Sequence, residues 1–168
     1  SCIVCISKGT KKSLTKWVGL KISKKLITIH NGSRIFSCKK RTSIKNRLPR
    51  LISIGSLSKQ KNFSVIINAL AKLEGIIESY TIVGDGPEKL KIKKIIESKN
   101  LKVKLVLTGW SNNVEKYLHE ADIQVIPSLW EGFGLVAVEG MSTGLPIVAS
   151  RVDGLTEVLG NSRAVSYV

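Results

Sequence analysis

The second two-thirds of this chain predict a doubly wound α/β fold, a parallel sheet with helices on both faces, and three observations carry that expectation. Five short β-rich runs recur at intervals of roughly 25 residues: "RLISIG" (50–55), "SYTIVG" (79–84), "VKLVLTG" (103–109), "DIQVIPS" (122–128) and "LPIVAS" (145–150). Between them lie stretches with helical spacing, and strand–helix–strand repetition argues for parallel pairing through right-handed crossovers. The runs are continuously apolar rather than alternating, which fits strands buried on both sides.

Taken in order, the first 50 residues differ from the rest. A strand is expected at 2–6 and a helical pattern to about residue 20. "KKLITIHNGSRIF" then reads as a short strand ending in an Asn-Gly turn. Residues 37–50, "SCKKRTSIKNRLPR", are polar and basic with a late proline and read as a loop or linker. The helices that follow are "NFSVIINALAKLEG", "PEKLKIKKIIESKN", "NVEKYLHEA" and "GLVAVEGMSTG". In "GDGP" the Pro87 ring suits a first helical position and Asp85 a cap, so an ordinary helix start is favoured, with the loop lining a pocket as a secondary role. The x-x-G of a dinucleotide fingerprint is missing, which argues against a nicotinamide site.

The composition, 43% hydrophobic over 168 residues, supports one folded unit. No apolar run approaches the roughly 18–20 residues of a membrane span, and the start of the chain reads as a strand cut from something longer. The net charge is +15, but residues 1–50 hold 14 Lys/Arg and no acid, while residues 51–168 hold 13 Lys/Arg against 12 Asp/Glu. That basic arm fits either an anionic surface or a solvated lysine face. A nucleic-acid partner would rest on charge alone, with no recognition helix or aromatic platform behind it. Cys2 and Cys5 spell C-x-x-C, yet positions three apart on a strand face opposite ways, so Cys2, Cys5 and Cys38 read as buried free thiols. His30 and His119 have no neighbours that suggest a triad or a metal site.

In an open parallel sheet, ligands bind at the carboxyl ends of the strands. This places residues 55–61, 84–87, 108–110, 128–134 and 150–154 along one crevice. The informative loop is "SLWEGFGLVAVEGM". A helix entered near Phe133 or Gly134 leaves the amides of Gly134, Leu135 and Val136 free for an anion or hydroxyl. Glu131 lies just before them. Glu139 lies one to two turns inside, amid Leu135, Val136, Ala137, Val138 and Met141, and is expected to be buried. A buried carboxylate needs donors. A vicinal diol would supply two, and an arginine or a backbone amide from a neighbouring strand would serve as well.

"EGFGLVAVE" resembles the E-x7-E signature of the glycosyl transferases group 1 family, retaining nucleotide-sugar-dependent enzymes of the GT-B fold. Further segments match in the family's order: "CIVCISKGTKKSL", "ITIHNG", "ISIGSLSKQKNF", "YTIVGDGPEKLKIKKII" and "LTGWSNNVEKYLHEADIQVIPSLWEGFG". The resemblance implies that residues 51–168 are the Rossmann-like donor-binding domain, truncated at its C-terminus. Residues 1–36 are then the end of an acceptor domain with its connection, and 37–50 a basic linker. It implies that Glu139 accepts the ribose hydroxyls and that Glu131 and Lys61 are catalytic, Glu131 facing the donor sugar and Lys61 the diphosphate. Phe133, Gly134 and Leu135 would offer amides to sugar and phosphate, Gly55 and Gly84 would line the site, and Trp110 would lie near the base. The expected donor is a UDP-sugar and the acceptor a glycan or lipid-linked sugar. No cofactor, metal or nucleic acid is expected, and the place of action is the cytoplasm, at the membrane face. Two departures stand out. Ser56 occupies the position of the family's diphosphate-binding arginine, for which Lys59 or a basic residue of 37–50 is the expected substitute. Ser33-Arg34 follows the Asn-Gly turn where an acid is usual. Ser56 also leaves open a domain that binds the donor without turnover.

Overall fold

The computed structural model describes residues 1–38 and 47–168. Two separate sheets are present. In the first, β1 (Ile3–Cys5) and β2 (Leu26–Thr28) pair in parallel, joined by α1 (Lys8–Ser23). Ser7 caps α1 by accepting from the Thr10 amide at 2.9 Å, and Gly19, at φ 74°, breaks the helix before its last turn. Of the three cysteines only Cys5 is buried, whereas Cys2 and Cys38 are exposed, so the expectation of three buried thiols is corrected.

The second sheet has six parallel strands: β3 (Arg50–Ile54), β4 (Ser79–Val83), β5 (Lys104–Gly109), β6 (Ile123–Ile126), β7 (Ile147–Ala149) and β8 (Val165–Tyr167). Their spatial order is β5-β4-β3-β6-β7-β8. The chain winds outward one way from β3 and the other way from β6, so the order reverses between these two strands, and their C-terminal loops flank a ligand crevice. The doubly wound sheet expected from sequence is present, with each of the five anticipated strands inside its quoted run.

Helices α2 (Phe63–Leu70) and α3 (Lys89–Ser98) cover one face, packing Phe63, Ile67, Leu70 and Ile92 on Leu51, Tyr80 and Ile82. The other face carries α4 (Val114–Glu120), α5 (Leu135–Ser142) and α6 (Asp153–Leu159), with Leu118, Ala137, Leu155 and Leu159 over Ile52, Ile126 and Ile147. Each fully buried aliphatic side chain of this kind contributes about 1.5–3 kcal/mol of transfer free energy. Helix α3 starts two residues after Pro87, with Glu88 at its cap position, so Pro87 and Asp85 do not play the expected capping roles. Asp85 instead accepts from the Gly86 amide at 2.8 Å and pairs with Lys89 at 2.5 Å.

At the amino edge of the sheet, Asp122 accepts from both guanidinium ends of Arg47 at 2.6 Å and from the Arg50 amide at 2.8 Å. Arg47 and Arg50, the described basic residues of the 37–50 segment, are thus held at the edge opposite the crevice. The remaining candidates there, in 39–46, lie outside the described residues. Among the described residues no helix is long and apolar enough to cross a membrane.

Candidate functional site

The floor of the crevice is main chain. Gly55, Gly84 and Gly109 end β3, β4 and β5, and their backbones interlock: the Gly55 amide donates to the Val83 carbonyl at 3.0 Å and the Gly84 amide to the Gly109 carbonyl at 2.8 Å. Gly84 has φ 146°, and a Cβ there would sit 2.0 Å from the Gly55 carbonyl oxygen, so only glycine fits. Gly55, Gly84 and Trp110 line one cleft of about 280 Å³ together with Ser56, Asp85 and Ser111. Trp110 is 76% exposed, its indole open to a planar ligand.

At the switch point the loops after β3 and β6 are clasped together. A single 3-10 turn, Lys59–Lys61, leads into α2 through Asn62 in a left-handed conformation. Its Gln60 accepts from the Leu129 amide at 2.8 Å through its carbonyl and donates Nε2 to the Trp130 carbonyl at 2.9 Å. This clasp delivers the Lys61 ammonium to the Glu131 carboxylate, where the two form an ion pair. Ser128 Oγ donates to the same Glu131 oxygen at 2.8 Å. The Lys61 and Glu131 side chains are 14% and 8% exposed, so each is the other's main compensation for lost water. The stem of Lys61 crosses Gly55, where a Cβ would be 3.0 Å from Cε. Behind Glu131, Gly154 packs so tightly that a Cβ would come within 2.3 Å of the Glu131 carbonyl oxygen.

Beyond Glu131 the chain turns at Gly134, φ 89°, into α5. Among the described residues the amides of Phe133, Gly134, Leu135 and Val136 donate to no acceptor, which leaves the helix start able to hold an anion or hydroxyls. Glu139 corrects the sequence expectation. It is half-buried, not buried, because α5 is covered on one side only: Ala137 and Gly140 are buried, whereas Leu135 and Met141 are 39% and 41% exposed. Burial raises the Glu139 pKa above the ordinary glutamate value, and the Arg34 guanidinium offsets part of that. Its carboxylate makes no hydrogen bond among the described residues, and it lines neither the Trp110 cleft nor the one beside Glu131.

That second cleft, about 480 Å³, runs between α1 and the β6 loop and is lined by Gly9, Thr10, Trp130, Glu131, Gly132 and Asp153 among others. Thr10 Oγ1 donates to the Gly132 carbonyl at 3.3 Å. Sequence reasoning named Lys61, Glu131 and the Phe133–Leu135 amides, and the structure brings these together. Gln60, Ser128 and Gly154 fell inside the named loops but were given no role of their own. Ser128 alone left a signal, its three-residue spacing from Glu131. His30 lies 2.7 Å from Glu157, and His119 lies 2.8 Å from the Ser37 carbonyl. Lys59, the expected stand-in for an arginine at Ser56, is exposed and lines a different groove with Glu88 and Leu129. Among the described residues no three His, Cys, Asp or Glu side chains cluster as a metal site.

Residues 36–164 match the family described as glycosyl transferases group 1. An uncharacterized 41.2 kDa protein in the cps region of Klebsiella pneumoniae is 32% identical over 158 residues, covering 93% of this chain and 40% of that protein. The UDP-Gal:alpha-D-GlcNAc-diphosphoundecaprenol alpha-1,3-galactosyltransferase of Escherichia coli is 42% identical over 76 residues, 45% of this chain and 20% of the enzyme. A crystal structure of Anabaena Alr3699/HepE in complex with UDP and glucose superposes with a TM-score of 0.85 at 21% identity, over 100% of this chain and 49% of that one. The chain therefore spans less than half the length of each.

Proposed function

This chain belongs to the glycosyl transferases group 1 family, and from that premise we propose that it forms the donor side of a retaining glycosyltransferase. In this reading it binds a nucleotide diphosphate sugar, a UDP-sugar, for transfer to a glycan or lipid-linked acceptor in polysaccharide or glycolipid biosynthesis. The observation that carries the proposal is the meeting of Lys61 and Glu131 at the switch point, beside the unbonded amides of Phe133, Gly134 and Leu135. Residues 51–168 act as the donor domain, 1–36 as the end of the acceptor side with its connection, and 37–50 as the link. The relation to an Escherichia coli enzyme whose name specifies UDP-Gal and a diphosphoundecaprenol acceptor supports the choice of donor and acceptor class.

Each group then has a task. The glycine floor lets the diphosphate lie against main chain, and the α5 amides hold sugar hydroxyls and the distal phosphate. Lys61 exchanges Glu131 for phosphate when the donor arrives and stabilises the departing diphosphate, the type of electrostatic assistance that most often dominates such catalysis. Glu131, freed of its lysine, faces the sugar and supports positive charge developing at the anomeric carbon. Trp110 stacks on the base, and Glu139 accepts the two ribose hydroxyls. In calorimetry with UDP-galactose, Glu139→Ala is expected to weaken binding by about tenfold or more, two charge-assisted hydrogen bonds being lost. Equal affinity in the variant would remove the ribose role.

The second reading, a domain that holds the donor without turnover, is favoured by Ser56 and by the commitment of Arg47 and Arg50 to Asp122 at the far edge. UDP release catalysed by the chain and lost in Lys61→Ala would dispose of it. The basic arm suits contact with an anionic membrane at the cytoplasmic face. Helix α1 carries Lys8, Lys11, Lys12, Lys16 and Lys21 with an exposed Trp17. Sedimentation with vesicles should show binding that rises with the fraction of anionic lipid, and indifference to lipid charge would end the membrane proposal.

A further inference from the structure

Helix α6 sends one carboxylate across to the first 30 residues. The Lys8 amide donates to Glu157 Oε1 at 2.9 Å, the Gly9 amide to Oε2 at 3.1 Å, and His30 Nε2 lies 2.7 Å from Oε1. With Ser7 holding the Thr10 amide, all three leading amides of α1 are satisfied, and the negative charge sits at the positive end of that helix. Burial works to raise the Glu157 pKa, but the Lys8 and Gly9 amides and His30 outweigh it and hold the group below the ordinary glutamate range. Its side chain is only 14% exposed.

These contacts lead to the loop that carries Glu131. Gly9 lies so close to α6 that a Cβ on it would stand 2.8 Å from Asp153 Cβ. One residue on, Thr10 reaches the Gly132 carbonyl, while the His30 ring packs on Phe133 with 5.4 Å between centroids. Both routes from Glu157 therefore end within two residues of Glu131. These are long-range contacts: Glu157 is 127 residues from His30 and 149 from Lys8.

We infer that Glu157 is a positioning residue: through the first turn of α1 and through His30 it fixes the segment 132–134, whose amides and preceding Glu131 form the sugar end of the site. It touches no substrate. Its role in donor binding rests on the reading above, whereas its hold on the loop does not, and the two are measured separately.

Nitrogen-15 relaxation on the chain and on Glu157→Gln reads the loop directly. Order parameters at Gly132, Phe133 and Gly134 are expected to fall from about 0.85 to below about 0.6, with those of β3 and β4 unchanged. Gly9→Ala, which keeps Glu157 but pushes α1 off Asp153, should loosen the same three amides. If Glu157→Gln disturbs β3 and β4 as well, Gly9→Ala decides the matter. Loosening confined to Lys8 and Gly9, or unaltered values at 132–134 in both variants, overturns the inference. Affinity for UDP-galactose should drop roughly three- to tenfold in Glu157→Gln, since displacement of a site by even 1 Å is costly. A wild-type chain that does not bind UDP-galactose would sink the donor reading while leaving the relaxation result to stand on its own.

Discussion

At Glu139, burial and charge pull in opposite directions. In the proposed ribose role the ionised carboxyl is the stronger acceptor for two hydroxyls, and its raised pKa means it keeps a proton at pH values where an exposed glutamate has lost it. Donor affinity should therefore be full above that raised pKa and decline as pH falls through it, starting at a higher pH than an ordinary glutamate would give. Calorimetry with UDP-galactose between about pH 4 and pH 8 would follow the decline, and Glu139→Gln should bind more weakly with a flat profile. A flat profile in the unaltered chain would separate Glu139 from the donor. Full burial was the expectation for this residue, and the structure leaves it half-buried. Apolar neighbours on all sides suggest burial, but Leu135 and Met141 face solvent, and nothing in their identity says so. The tight packing of α5 on the sheet comes from Gly140 instead, where a Cβ would lie 1.8 Å from Gln124 Oε1. Lys61 and Glu131 were each named from resemblance, but a bond spanning 70 residues leaves no local trace.

Between elements, a polar thread runs through the centre of the sheet. Tyr80 on β4 donates its hydroxyl to Ser53 Oγ at 2.8 Å, and Ser53 on β3 donates to the Val125 carbonyl of β6 at 2.5 Å. All of it is buried, and burial pushes the Tyr80 phenol well up, with the Ser53 hydrogen bond offsetting a little. Ser53→Ala strands the phenol and should cost about 1–3 kcal/mol in urea unfolding, while Tyr80→Phe, which leaves Ser53 bonded to Val125, should cost less. Equal losses would mean that the thread contributes only by packing. Strands β3 to β7 were legible as continuously apolar runs, and helices α2 to α5 as the stretches those runs bracket. Helix α6 and strand β8 went unanticipated: both follow the last apolar run, "LPIVAS", and no further run brackets them. Helix α3 was anticipated but entered two residues early, because Pro87 suits a turn as well as a first helical position.

Across the whole molecule, the two edges of the large sheet are dressed in opposite ways. At the amino edge, burial alone would raise the pKa of Asp122, but hydrogen bonds from Arg47 and Arg50 bring it down to about 2. A folded pKa below the unfolded value of about 3.9 means the stabilisation is complete above pH 4 and is lost as pH falls through 2. Thermal melts across that window should show the chain losing more stability than Asp122→Asn does, with the variant already lower by about 1–3 kcal/mol at neutral pH. Parallel acid profiles would show that Asp122 is not paired in solution. The doubly wound architecture and the basic bias of the first 50 residues were legible in composition and period. The path by which residues 1–38 fold back onto α6 was not, since it depends on contacts made over most of the chain length. At the carboxyl edge the three interlocked glycines have a consequence for diversification. Where the bed of a cleft is backbone, exchange of side chains cannot reshape it, so on the proposed reading a lineage would alter base preference through Trp110 and Ser111 on the walls while the diphosphate keeps one fixed berth.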